Sequence, residues 1–492
     1  MTKRQGGKRR HPILRACAWG GAAVVIVGAA YGAGDAYDVL PGPLTTQPAL
    51  LLDPLPEPTP GIEQAAAPRA LADDAPVPAN LAKLIGGMKS DKAMTGKFGA
   101  EVRDALSGKV LYSTAADSQK TPASVTKVLT GTAALGVLGG ETRFTTSVEL
   151  TGGPAAKATS GAEAAGASGA QPHLYLVAGG DVMLGAGASD AGSVMGRAGL
   201  ASLAEQTAAQ LKKQGVKKAA VSVDLSRYSG PRFSSAWSRA DMATGAINPI
   251  TPLMLSAGKT GAGEYAPRMA DPVTPALKAF TTALDKHGIA TTPAKPRTAP
   301  QGAERVAAAT SASVAEQTRY MLENSDNVMA EVLGVEVAKK MGKGDSIDDG
   351  PAGVIAALAQ LRVETGSIHL GDTSGLDYSN RISPHEMADV VRTVATSRGD
   401  LSQLIPSLPV GGLSGTLAER YRDPASKDGA GKVSAKTGTL STVTSLAGTV
   451  VTKDGRLLAF AFMADGIKPG SADAVRKLYD ANVTKLADCG CS

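Results

Sequence analysis

The stretch TPASVTKVLT, Thr121 to Thr130, lies between a strand-like run, Gly108 to Tyr112, and an Ala/Leu/Gly-rich apolar segment. Residues three apart on a helix are neighbours on one face, so the spacing predicts that the Lys127 amine reaches the Ser124 hydroxyl. Thr121 is the expected N-cap of that helix, with Pro122 at its first position and Ser124 in its first turn. Such a pair is either a nucleophile beside its base or an accident of spacing. A second match, Ser256-Ala-Gly-Lys259, shows how easily the accident arises. It sits in a Gly-rich stretch without helical periodicity.

Order along the chain separates the two. Downstream of Ser124 come Ser325-Asp326-Asn327, in the helical stretch MLENSDNVMAE, and then Lys436-Thr437-Gly438-Thr439 on a strand candidate. The set S-x-x-K, S-D-N and K-T-G, in that order, marks class A β-lactamases and penicillin-binding proteins. The chemistry suits the residues. A serine hydroxyl is a poor nucleophile until a base takes its proton. A lysine serves as that base when burial or a neighbouring cation favours its neutral form. Lys436 is the candidate neighbouring cation, and its charge attracts a substrate carboxylate. Ser325 would relay a proton to the leaving group, and Asn327 would hold Lys127 and a substrate amide. The Ser124 and Thr439 N–H groups would form an oxyanion hole, and the Thr437 and Thr439 hydroxyls would bind a terminal carboxylate. Read singly, each of these residues is an ordinary surface polar group, and Asn327 a helix-face amide.

With these motifs the chain resembles the low-molecular-mass class C penicillin-binding proteins, the D-alanyl-D-alanine carboxypeptidase/endopeptidase family. SDNVMAEVL (Ser325 to Leu333), DTSGLDYSNRISP (Asp372 to Pro384) and LPVGGLSGTLAERY (Leu408 to Tyr421) carry the likeness beyond the motifs. So does the long gap between Ser124 and Ser325, where this family inserts extra domains; LYLVAGGDVML and DLSRYSGPRFSSAW look like parts of that insertion. The resemblance implies an α+β fold, with helices packed on a five-stranded antiparallel sheet. It implies a serine peptidase that removes the terminal D-Ala from peptidoglycan stem peptides, or cuts their cross-links, through an acyl-enzyme on Ser124. Ser124, Lys127 and Ser325 would be catalytic, and Asn327, Lys436, Thr437, Gly438 and Thr439 substrate-binding. β-Lactams would acylate the same serine, and no cofactor or metal is implied. The alternatives are a β-lactamase, or a non-catalytic envelope protein that binds wall peptides. No E-x-x-L-N-like segment follows Ser325 to supply a deacylating glutamate.

Bulk properties set the frame. With 492 residues, 43% hydrophobic and 20% charged, the chain has material for more than one domain. Its net charge of +6 suggests an anionic partner until the charges are placed: six basic residues precede the first acid, Asp35, and the remainder is neutral. That placement removes the case for nucleic acid. The basic leader and the uncharged run Ala16 to Gly34 read as a signal-anchor or signal peptide, residues 1–36, putting the protein in the extracytoplasmic envelope, membrane-anchored or secreted. Residues 37–80 form a Pro-rich linker. Residues 81–141 and 272–492 are expected to make one unit and 142–271 an inserted one. Cys489 and Cys491 read as tail residues on which nothing inside the fold depends. A P-loop is excluded because Leu253 stands where its first Gly is needed, and a zinc peptidase because His385-Glu-Met-Ala-Asp lacks a second histidine.

Overall fold

The computed structural model describes residues 78–152, 171–263 and 265–489. The leader, most of the Pro-rich linker, the Gly/Ala-rich residues 153–170 and Cys491 lie outside them. Among the described residues no helix is long and apolar enough to cross a membrane.

The described residues open with α1 (Pro78–Ile85) and a hairpin, β1 (Lys97–Asp104) and β2 (Val110–Thr114), turned at Gly108 with φ +75°. The strands beside this hairpin come from the far end of the chain: β8 (Val433–Leu440), β9 (Val443–Val451) and β10 (Leu457–Asp465). The order is β2-β1-β10-β9-β8, antiparallel throughout. Alternation along LLAFAFMAD explains the seating of β10. Phe460 and Phe462 point to one face, where they meet Phe98 and Tyr479 of the terminal helix. Ala459, Ala461 and Met463 point to the other, under Met387, Ala388 and Val391. Small residues on that second face let the helix Pro384–Thr396, fixed by a capping box between Ser383 and Glu386, lie close on the strands.

Helices fill the space between this sheet and the rest. α2 (Thr126–Leu138) is buried on nearly every side, which accounts for its lack of a polar face. The second sheet is ordered β6-β5-β4-β3-β7, from β3 (Arg143–Thr151), β4 (His173–Val177), β5 (Lys218–Asp224), β6 (Ala290–Pro293) and β7 (Glu304–Ser313). Here β4, β5 and β6 are parallel. Parallel neighbours require crossovers, and α3 (Leu200–Lys213) and α4 (Val273–Lys286) supply them.

That pairing corrects the expected boundary at residue 271. The helix that looked like a return to the first unit buries Ala276, Phe280 and Leu284 against the second sheet, and β7 pairs with β3. The inserted region therefore runs to Ser313. Beyond it come α5 (Val314–Glu323), α6 (Asn327–Lys340), α7 (Gly350–Gln360), α8 (Pro384–Thr396) and α9 (Ala472–Asp488). Cys489 also departs from expectation: at the end of α9 it packs against the core, and it is disulfide-bonded.

The insertion is pinned to α6. Glu336, buried there, accepts bonds from Arg227 Nε at 2.7 Å and Nη2 at 2.6 Å, and from the Tyr228 hydroxyl at 2.7 Å. Glu336→Ala is expected to lower the unfolding free energy by about 2–3 kcal/mol, below the figure for a fully buried pair because Arg227 is partly exposed. Tyr228→Phe is expected to lower it by about 1 kcal/mol. Urea denaturation measures both, and an unchanged midpoint in Glu336→Ala would deny the pin any role in stability.

Candidate active site

The chain does not enter α2 as a simple capped helix. Residues Ala123–Val125 form a 3-10 turn, the α-helix begins at Thr126, and Ala123 takes φ +51°. Thr121 is therefore not the N-cap; its hydroxyl bonds the Tyr378 carbonyl and accepts from Arg381. The cause is confinement. Ser445 Oγ donates to the Pro122 carbonyl at 2.5 Å. A Cβ at Gly375 would lie 2.0 Å from the Ala123 carbonyl oxygen, and one at Gly438 would lie 2.6 Å from that of Pro122. Two glycines thus let two other segments close on the turn that presents Ser124.

Lys127 follows one turn later and is wholly buried. Its amine donates to Ser124 Oγ at 3.1 Å, Asn327 Oδ1 at 2.5 Å and the Ser374 carbonyl at 2.6 Å. Burial pushes it down to about 8, against the opposing pull of Asp372, Glu331 and Asp326. The spacing argument for this pair holds in three dimensions.

Ser325 is not in a helix. It occupies the turn between α5 and α6 with φ +52°, because Asp326 caps α6 by accepting the Met329 N–H at 3.0 Å. Burial works to raise the Asp326 carboxyl, but Arg268 beside it, at 2.9 Å, and the Met329 N–H hold it below the usual carboxylate range. Non-glycine residues with positive φ are costly, so their placement next to both hydroxyls marks a site held by its surroundings. Asn327, the first residue of α6, accepts from Lys127 and donates its Nδ2 to the Ala246 carbonyl at 3.0 Å.

The third segment lies on β8, at the edge of the first sheet, as expected. Lys436 is also wholly buried, and its amine donates to Ser325 Oγ at 3.0 Å and to the Thr437 carbonyl at 2.9 Å. Thr437 Oγ1 lies 2.9 Å from Thr416 Oγ1. Ser124, Ser325, Asn327, Thr437 and Thr439 line one cleft of about 490 Å³. Gly438 stands behind it, where the absence of a side chain admits Pro122 and Ser445. The eight candidate catalytic and substrate-binding residues thus converge here.

Others were missed. Arg268, from the insertion, fastens Asp326 while its remaining nitrogens bond the Gly245 and Ala257 carbonyls. Lys259, set aside with the chance motif, lines the same cleft, its amine bonding the Gly263 carbonyl at 3.3 Å and lying 3.5 Å from the Tyr320 hydroxyl. Nothing in local spacing points to either. Asp372 and Glu331 lie behind Lys127, and there a signal existed: Glu331 falls four residues after Asn327, on the same helical face.

Comparison with known proteins agrees with this geometry. The model of the D-Ala-D-Ala carboxypeptidase 3 (S13) family matches residues 80–266 and 261–486. A carboxypeptidase of Mycobacterium tuberculosis is 33% identical over 400 residues, covering 81% of each chain. Carboxypeptidase DacB of Mycolicibacterium smegmatis is 32% identical, over 96% of this chain and 94% of its own. Among solved structures, penicillin binding protein 4 of Haemophilus influenzae shares the fold, with a TM-score of 0.64 at 20% identity, over 84% of this chain and 99% of that one. With three ordered motifs meeting in one cleft and a family model spanning nearly all of the described residues, the chain belongs to the D-Ala-D-Ala carboxypeptidase 3 (S13) family.

Proposed function

We propose that this serine hydrolase releases the terminal D-Ala from peptidoglycan stem peptides, or cleaves the D-Ala cross-links between them, through an acyl-enzyme on Ser124. One observation carries the reading: two buried amines, Lys127 and Lys436, each hold a hydroxyl, Ser124 and Ser325, at 3.1 and 3.0 Å along one cleft. Neutral Lys127 takes the Ser124 proton as Oγ attacks the penultimate D-Ala carbonyl. The Ser124 and Thr439 N–H groups receive the developing oxyanion. The proton passes by way of Ser325 to the departing amine, the C–N bond breaks, and water then hydrolyses the ester. Lys436, Thr437 and Thr439 hold the free carboxylate, and Asn327 fixes Lys127 and meets the substrate amide. β-Lactams would open on the same hydroxyl; a β-lactam complex of the Haemophilus influenzae protein supports this part. The basic, then apolar leader supports an extracytoplasmic enzyme, held at the membrane or secreted.

A mass-spectrometric search is expected to find a penicilloyl adduct on the tryptic peptide containing Ser124, absent in Ser124→Ala. Labelling of another peptide would refute the assignment. Stable labelling by a fluorescent penicillin with little nitrocefin turnover is expected, and rapid turnover would favour a β-lactamase instead. Lys127→Met should slow acylation by about 10²–10⁴-fold.

The pH dependence follows from the sign of the Lys127 shift. The amine works when neutral and sits at about 8, so acylation should climb about tenfold per pH unit between pH 6 and 7.5. Stopped-flow labelling measures this, and a flat profile there would remove Lys127 as the base.

A further inference from the structure

Behind Lys127 lies a buried acid that the reaction above does not use. Glu331 is on α6, one turn beyond Asn327, with 1% of its surface exposed. Its carboxyl faces the loop Asp372–Gly375, where it accepts the Thr373 N–H at Oε1 (3.2 Å) and lies 3.0 Å from Thr373 Oγ1 through Oε2. That loop seats the base: the Ser374 carbonyl accepts a hydrogen bond from the Lys127 amine, and the Thr373 carbonyl accepts one from the Thr130 hydroxyl of α2. Gly334 is the matching allowance on α6, since a Cβ there would lie 2.4 Å from Thr373 Oγ1.

A count of hydrogens bears on the state of Glu331. The Thr373 hydroxyl has one proton and two oxygen neighbours, Glu331 Oε2 at 3.0 Å and the Ala330 carbonyl at 3.1 Å. If Glu331 carries a proton, Oε2–H donates to Thr373 and Thr373 donates to Ala330, and both contacts are hydrogen bonds. If it is ionised, the single Thr373 proton must serve one of them or be shared, more weakly, between both. Asp372, alongside, is served differently: Trp237 Nε1, the Gly375 and Asp377 N–H groups and Asn380 Nδ2 all donate to it, while the Ser374 hydroxyl lies between it and Glu331.

We propose that Glu331 is a positioning residue that carries a proton in the working enzyme, and that this neutral form both seats the Asp372–Gly375 loop on Lys127 and leaves Lys127 free to lose its own proton. The charged groups facing Glu331 are Lys127 from α2 and Asp372 from the loop; Asp326, at the start of its own helix, is paired with Arg268. Burial, then the nearby Asp372 charge, pushes the Glu331 carboxyl up to about 8 against the opposing pull of the Ser374 and Thr373 hydroxyls and of Lys127, in keeping with this state. Once ionised, Glu331 would set a negative charge by the amine and hold it as ammonium. The proposal rests on Lys127 being the base for Ser124, and the two fail differently: without that base Ser124 is not acylated at any pH, whereas without the Glu331 proton only the pH dependence changes.

The test is the acylation rate of the full chain by a fluorescent penicillin, from about pH 6 to 9.5. Glu331→Gln reproduces the neutral acid, offering a donor to Thr373 Oγ1 and an acceptor to Thr373 N–H. It is expected to leave the acid limb in place, since Glu331 is already neutral there, and to raise the ratio of the rate at pH 9.5 to that at pH 7 at least about threefold over the unsubstituted enzyme. Thermal melting gives a second readout. A carboxyl raised on folding contributes stability that is full below its unfolded value and is lost as pH rises through about 8, so the variant should gain on the parent over that span. Superimposable profiles and melting differences that do not vary with pH would overturn the proposal. Should Glu331→Gln not fold, the unsubstituted enzyme decides: its acylation must decline again between about pH 8 and 9.5 with the fold intact, and a rate that keeps rising or holds would overturn it.

Discussion

A lysine amine without solvent contact is the constraint around which the rest of this structure is arranged. Burying an ammonium is costly, and the cost is what lowers the affinity of Lys127 for its proton. The amine is tolerated because three acceptors are fixed around it: the Ser124 hydroxyl, the Asn327 amide and the Ser374 carbonyl. Each comes from a separate segment, so the site exists only when α2, α6 and the Asp372–Gly375 loop are assembled. Gly375, Gly438 and Gly334 are the concessions that permit this assembly, because a methyl group at any of them would collide with a neighbour.

The insertion takes part in that assembly. Trp237 reaches Asp372, Arg268 reaches Asp326, and Arg227 with Tyr228 reaches Glu336. All three targets are acids on α6 or the loop beside it, so the inserted sheet is tied to the elements that carry Asn327 and seat Lys127. The wall of the cleft that bears Lys259, Tyr265 and Arg268 also comes from the insertion. Changes there would act on the peptide-facing surface and on the support of the base together.

The first sheet contributes an edge. β8 presents Lys436 inward and Thr437 and Thr439 to the cleft, while β9 and β10 are buried on both faces by α8 and α9. Packing on both sides holds the edge strand rigid, and this is what a site dependent on hydrogen-bond lengths requires. Two of the non-glycine residues with positive φ, Ala123 and Ser325, lie opposite it, each next to or at a hydroxyl that the reaction needs.

Local spacing in the sequence determined a good deal. The i, i+3 relation of Ser124 and Lys127 depends only on helical geometry, and the alternation in LLAFAFMAD only on strand geometry. The order of the three motifs limited the chemistry before any contact was known. Capping was legible at Ser383 and Glu386, where both partners lie within one turn. At Thr121 the same rule failed, because Ser445, Gly375 and Gly438, distant in sequence, impose a 3-10 turn on the helix entry. The extent of the insertion was illegible for a similar reason: an amphipathic helix such as Val273–Lys286 shows which face is buried but not which sheet covers it. Arg268, Asp372 and Trp237 owe their places to contacts between segments far apart in the chain. Only the folded molecule decided these, since burial and charge pairing depend on what lies alongside in space, and a one-dimensional string does not hold that information.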